Sequence, residues 1–448
     1  MTVQSHDLIT DKPDHGQGRD TMTTNTTHAA LTTTELDHHG AASHEAYTAG
    51  FYAGHGEWDY TVRAILGKSS RGGSDIGEVL ATVAAVKPGD RAGWFDAWVA
   101  LGERVAAIAE VSAAAGHRVS AARAYLRAAN YFAVAVNSID GLDGDTVQLL
   151  PAFRAHRAAW EGFAANTSWP VERVDIPYEG SSMPGWLFRP GHQRAKRPTL
   201  VMSNGSDGSL SGIWCEGAEG ALERGYNVLM FDGPGQQSML FERDVPFRYD
   251  WERVLTPVVD FLVAREDVDP SMLALYGVSQ AGYWIARALA FEHRFAAAIA
   301  DGGVVSVGRT WFGNLPPQLL ALYRSGDKAA FDRQMRQAMA APEAAAARET
   351  WAFRARPYGV QGYSAVLDEV AKYDVAGVAG QIATPLYITD PDGEQFFPGQ
   401  PAELAALVPG ATLARFTQEE GASYHCQPMA RELTEQRMFD WLDEHFYA

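Results

Sequence analysis

The stretch that most constrains this chain is Leu273-Ala274-Leu275-Tyr276-Gly277-Val278-Ser279-Gln280-Ala281-Gly282-Tyr283-Trp284. It opens as an apolar run of strand length and breaks at Gly277. It then continues through Ile285-Ala286-Arg287-Ala288-Leu289-Ala290-Phe291 with apolar residues at helical spacing. Strand, sharp turn carrying a serine, helix: this is the sequence form of a nucleophile elbow. The serine of such a turn sits in strained backbone, and bulky side chains two residues to either side would collide across it. Gly277 meets that demand. Ala281 stands where glycine is usual and Gly282 comes one place late, a small residue replacing a smaller one. No stretch matches G-x-S-x-G without exception, so Ser279 is the candidate nucleophile. The plainer reading is an ordinary strand-to-helix turn in an α/β protein, and the rest of the chain must decide between them.

Around this stretch the chain divides by pattern. Residues 1–44 are rich in Thr, His, Asp and Gly without apolar period and are expected to be a disordered polar tail. Among its histidines, His28, His38 and His39, with His44 at the boundary, lack the spacing and scaffold of a metal site. Residues 45–168 read as helices forming a separate domain. The clearest carries Trp94, Trp98, Leu101, Val105 and Ile108, with Val111 and Ala115 expected to continue the buried stripe. A second helix holds Tyr125, Leu126, Ala129, Phe132 and Ala133, with Arg127, Asn130 and Tyr131 as polar residues that could face a pocket. A third runs from about Thr146 to Phe163. Most of these aromatic residues are expected to be core rather than ligand contacts.

From 169 to 448 strands alternate with helices, which implies a mostly parallel sheet covered on both faces. Strands are expected at Val171–Pro177, Pro184–Phe188, Thr199–Met202, Tyr226–Phe231, the elbow strand, Ala297–Ala300, Pro385–Ile388 and Ala411–Phe416. A helical, Ala- and Arg-rich insertion at about 314–372 interrupts the alternation. It is expected to lie over the C-terminal edge of the sheet, where ligands bind in such folds. The fold class is therefore α/β, with a helical domain ahead of it.

A serine hydroxyl needs a base, and the base needs an orienting acid. An elbow of this kind takes its acid after a late strand and its histidine after the last one. His425, in Glu420-Gly421-Ala422-Ser423-Tyr424-His425-Cys426, fits that place. His293 is the alternative, expected to cap the last turn of the elbow helix instead. For the acid, Asp390, Asp392 and Glu394 all follow the penultimate strand. The register of acid, apolar residues and proline in Glu394-Gln395-Phe396-Phe397-Pro398 favours Glu394, 31 residues before His425, with Asp392 in reserve. The aspartates also serve as ordinary turn residues around Gly393. Two backbone N–H groups must receive the oxyanion. Gln280, next to the nucleophile, supplies one, and Gly205 or Ser206 in the loop Ser203-Asn204-Gly205-Ser206-Asp207-Gly208 supplies the other. That loop lacks the Lys-Ser/Thr ending of a phosphate cradle, and Asp232-Gly233-Pro234-Gly235-Gln236 lacks dinucleotide spacing.

With these residues in place, the chain resembles the α/β-hydrolase superfamily. More narrowly it is similar to the branch of the dihydroxypseudooxynicotine hydrolase and the fermentation-respiration-switch-type esterases. The likeness rests on Ser120–Tyr131, Phe231-Asp232-Gly233-Pro234-Gly235-Gln236, Gly277-Val278-Ser279-Gln280-Ala281 and Glu420–His425, and spans roughly 45–448. It implies a helical cap over an α/β-hydrolase core. It further implies cleavage of an ester or an activated carbon–carbon bond of a ketone by Ser279, Glu394 and His425, with no metal or cofactor. Ala281 and the glutamate, where aspartate is commoner, depart from the pattern. The rivals are a non-hydrolytic cyclase or acyltransferase on the same fold, and a non-catalytic ligand-binding module.

Composition narrows the partners. The chain has 448 residues, with 46% hydrophobic and 11% aromatic, enough for two domains with sizeable cores. A net charge of −18 argues against nucleic acid or an anionic membrane. No apolar run approaches the roughly 18 residues of a membrane span, and no secretory pattern opens the chain. Two cysteines, Cys215 and Cys426, make no disulfide framework. The expectation is a cytoplasmic enzyme with a small, apolar or aromatic substrate. A homodimer is left open, with the helical block as a docking module if it is not a cap.

Overall fold

Strand alternation builds the centre of the molecule. The computed structural model describes residues 47, 49–52, 54–140, 142 and 145–447. The expected tail, residues 1–44, and its histidines lie outside these. Residues 50–448 form one compact unit. Eight strands make one sheet: β1 (Val171–Tyr178), β2 (Ser181–Phe188), β3 (Arg197–Ser203), β4 (Asn227–Phe231), β5 (Val268–Val278), β6 (Ala297–Asp301), β7 (Leu386–Pro391) and β8 (Thr412–Phe416). Their order is β1-β2-β4-β3-β5-β6-β7-β8. The β1–β2 hairpin turns on Glu179 and Gly180, both at positive φ, the two-residue turn that suits strand twist. β2 pairs antiparallel to β4, and from β4 onward every pairing is parallel.

Period-two alternation sends neighbouring residues to opposite layers. Leu200, Met202, Val228, Met230, Ala274 and Tyr276 join one apolar cluster; Val201, Leu229, Leu273 and Leu275 join the other. The first cluster continues without a break into the N-terminal helices. Trp160 and Phe163 of the Asp145–Asn166 helix meet Trp186, Phe188 and Trp214 ring to ring. The expected division at 168/169 is thus a change of pattern along the chain, and packing runs across it.

One expectation is corrected. On the Arg91–Ala114 helix the buried face is Trp94, Trp98, Leu101, Val105 and Ala109. Ile108 is 50% and Val111 72% exposed. A repeated alternation of four and three keeps a 3.5-residue period, whereas a straight helix advances at 3.6 and drifts from that stripe by about 20° per heptad, so the departure builds up over the two heptads from Trp94 to Ile108. Residues 314–372 hold the helices Pro317–Arg324, Lys328–Met339, Ala345–Ala355 and Tyr363–Val370, and the helix Val307–Gly313 precedes them. Among the described residues no helix is long and apolar enough to cross a membrane.

Candidate active site

β5 ends at Val278, and the Ala281–Leu289 helix starts three residues on. Ser279 between them has φ 59°, in the left-handed region that non-glycine residues seldom adopt. Its N–H donates to the Asp301 carbonyl at 2.7 Å, and its carbonyl accepts from Gly282 N–H at 2.8 Å. The glycines are explained by contact. A Cβ on Gly277 would lie 2.8 Å from the Ala281 carbonyl oxygen; one on Gly282 would lie 1.8 Å from that of Gly302. The late glycine thus serves the approach of the elbow helix to the loop after β6. Ala281 itself is fully buried.

His425 Nε2 lies 2.8 Å from Ser279 Oγ, and its Nδ1 lies 2.7 Å from Glu394 Oε2. Glu394 Oε1 accepts the N–H groups of Phe396 and Phe397 at 2.8 and 3.0 Å, which turns its other oxygen to the imidazole. Burial alone would lower the His425 pKa, but the charge and hydrogen bond of Glu394, with Asp301 and Asp207 beyond, raise it above the ordinary value. Burial would raise that of Glu394; the His425 contacts and the two backbone donors outweigh it and hold the carboxyl below its usual range. Both shifts stabilise the charged pair.

Of the other acids, Asp392 is exposed and its Oδ2 accepts from Gln418 N–H at 3.2 Å, the turn chemistry that competes with a catalytic role. Asp390 pairs with Arg415. His293 is exposed and lies beyond the elbow helix, which ends at Leu289, so it caps nothing there. Gly205 abuts the serine: a Cβ on it would lie 2.9 Å from Ser279 Cβ and 3.4 Å from Oγ. The next residue, Ser206, has its hydroxyl 3.2 Å from Asp207 Oδ1. Behind this loop, Gln236 bonds the Asn204 carbonyl at 2.7 Å, which gives the glycine-rich turn after β4 a bracing role.

Beneath the site lies a buried group with no local sequence signal. Arg431 donates to Asp301 Oδ2 at 2.6 Å, Tyr276 Oη at 2.7 Å and the Cys426 carbonyl at 2.9 Å. Asp301 also accepts from Thr389, whose Oγ1 in turn receives Gly302 N–H.

Above the serine is a cavity of about 1160 Å³. Trp58, Tyr60, Trp94 and Asn130 line it from the N-terminal helices, Trp311 from the Val307–Gly313 helix, and Met335, Trp351, Phe353 and Arg354 from the insertion. Of the polar trio on the second long helix, only Asn130 reaches it; Arg127 and Tyr131 bond Glu78. Lys68 and Glu216 pair at 2.6 Å on its wall. Arg354 reaches Ser206 and Asp207 at 3.3 and 3.2 Å. Among the described residues no group of three or more His, Cys, Asp or Glu could hold a metal ion.

Comparison with known proteins gives this arrangement its class. No protein-family model matches the chain. It is 31% identical over 401 residues to the hydrolase LUC6 of a Fusarium species, spanning 85% of this chain and 94% of that protein. It is 32% identical over 291 residues to the 20-hydroxy-prefusarin hydrolase FUS2 of Gibberella moniliformis, 63% and 68% of the two chains. The solved structure of 2,6-dihydroxy-pseudo-oxynicotine hydrolase shares the fold, with a TM-score of 0.66 at 23% identity over 84% of this chain and 94% of that one. The chain belongs to the α/β-hydrolase superfamily. It is an enzyme of the hydrolase class.

Proposed function

We propose that the protein is a serine hydrolase that cleaves an ester, or an activated carbon–carbon bond of a ketone, through an acyl-enzyme. The observation that carries this reading is the row of hydrogen bonds Ser279–His425–Glu394, with the serine held at positive φ on an elbow. Ser279 Oγ attacks the substrate carbonyl carbon while its proton passes to His425 Nε2. Glu394 holds the Nδ1 proton and stabilises the imidazolium. The oxyanion takes hydrogen bonds from the backbone N–H of Gln280 and of Gly205 or Ser206. Collapse breaks the bond to the leaving group, which takes the proton from His425 as an alcohol or as a protonated carbon. Water, deprotonated by the same imidazole, then releases the acid and restores Ser279.

The helices of 45–168 and the 314–372 insertion act as cap and wall, making the cavity that receives a small-molecule substrate. Its tryptophans and methionines favour apolar or aromatic groups. A fluorophosphonate should form one adduct, mapped by peptide mass spectrometry to Ser279, and block turnover of an activated aryl ester. An adduct elsewhere, or full turnover after labelling, overturns the reading.

A further inference from the structure

The Gly56–Gly67 helix lies along the segment that carries His425. Tyr60, Arg63 and Gly67 stand at i, i+3 and i+7, on one helix face. Tyr60 Oη donates to the His425 carbonyl at 2.9 Å. The Arg63 guanidinium lies over the Tyr424 ring, 4.8 Å from its centre. Gly67 packs so closely that a Cβ there would come 1.7 Å from the Pro428 carbonyl oxygen. One helix face thus follows the chain from 424 to 428.

That segment is strained. Cys426 and Gln427, directly after the histidine, have φ of 55° and 43°, and neither is glycine. Such a conformation persists only where surroundings impose it. The His425 main chain is gripped at both polar groups: its N–H donates to Gln395 Oε1 at 3.1 Å, and its carbonyl receives Tyr60. The Tyr60 ring meets Phe396 edge-on at 5.4 Å, and Phe396 meets the imidazole edge-on at 5.0 Å. Phe396 N–H is also one of the two donors that aim Glu394.

We propose that Tyr60 is a positioning residue, whose hydroxyl fixes the His425 main chain so that the imidazole meets Ser279 and Glu394 together. The proposal rests on the serine-hydrolase reading. Burial above all, with Cys426, Glu216, Glu394 and Asp207 nearby, pushes the Tyr60 phenol well above its ordinary value, so it keeps the proton it donates. The N-terminal helices would then act on the chemical step as well as on substrate fit.

The test is Tyr60→Phe in the full chain, which removes one oxygen and keeps the ring. Two quantities are read: the rate of Ser279 labelling by a small fluorophosphonate, and the low-field imidazole N–H proton resonance that disappears in His425→Ala. Labelling should slow by about tenfold to a hundredfold, as for a misplaced base. The resonance should move upfield or broaden while the unfolding midpoint stays within a few degrees. Arg63→Met, acting through Tyr424, carries the same test with a smaller slowing. Wild-type labelling and an unmoved resonance in Tyr60→Phe overturn the proposal and reduce the contact to packing. If the wild-type chain is not labelled at Ser279, the hydrolase mechanism falls. The resonance still decides on Tyr60: moved supports it, unmoved overturns it.

Discussion

Two turns meet at Ser279, and they hold unfavourable backbone by opposite means. The elbow puts one residue at positive φ and relieves it by leaving side chains out: Gly277 clears Ala281, Gly282 clears Gly302, and Gly282 N–H closes the turn while Ser279 N–H bonds the Asp301 carbonyl. The histidine turn puts Cys426 and Gln427 at positive φ with no glycine there. It is held from far along the chain by the Tyr60 hydroxyl and the Asp301 carbonyl, and from five residues on by Arg431, which bonds the Cys426 carbonyl. Each such residue costs on the order of 1–3 kcal/mol. A turn relieved from within tolerates no added atom; one imposed from outside tolerates no lost one.

The comparison breaks most sharply at its meeting point. Ser279→Ala should lower turnover of an activated ester by roughly 10³- to 10⁶-fold without loss of fold, measured by steady-state kinetics and circular dichroism. Turnover above a tenth of wild type would remove the elbow from the chemistry. Next comes the acid. Glu394→Gln should lower kcat by about 10⁴-fold, since the imidazole tautomer is no longer held. Asp392→Asn, which faces Gln418 N–H, should stay within about threefold. The reverse ranking would transfer the role.

The two modes of support then separate in stability. Arg431→Leu strips a support from the histidine turn and leaves buried Asp301 without its cation, at about 3–5 kcal/mol in urea unfolding. Gly282→Ala adds one methyl 1.8 Å from the Gly302 carbonyl and should cost about 1–3 kcal/mol by the same measurement. If the added methyl is neutral, the elbow is not relieved in the way described. The smallest effect is in pH. The proposed acylation needs neutral His425, whose pKa is raised, so the rate should climb with pH through a midpoint above the ordinary 6.5 and fall away as pH drops below it. In Glu394→Gln the largest raising contacts go while burial remains, so residual activity should have a lower midpoint. An unchanged midpoint would detach Glu394 from the base.

The same contrast explains what the sequence made legible. The elbow advertises itself because its supports are neighbours: a strand, small residues and a helix within about twenty positions. The Glu394 register was readable for a similar reason, since the N–H groups that aim it belong to Phe396 and Phe397, two and three residues on. Tyr60 and Arg431 leave no local trace. They reach His425 and Asp301 across 365 and 130 residues, and a tyrosine on an apolar helix face looks like any core tyrosine. The stripe assigned to Ile108 and Val111 failed from geometry: one residue of drift turns an apolar side chain outward, and alanine at 109 packs where isoleucine was expected.

The cavity wall supplied by the Ala345–Ala355 helix has a different consequence. That helix buries none of its residues fully, and charged links hold its neighbourhood: Glu349 to Arg91, Arg354 to Asp207, Arg356 to Asp140. Of these partners only Asp140 is buried, and a partly exposed pair such as Arg354–Asp207 contributes little, on the order of 0–1 kcal/mol. The wall can therefore accumulate substitutions at small thermodynamic cost, while the elbow cannot accept a methyl. Descendants of this chain are free to change what they admit long before they can change what they do to it, and divergence among such enzymes should be written first in residues 345–355.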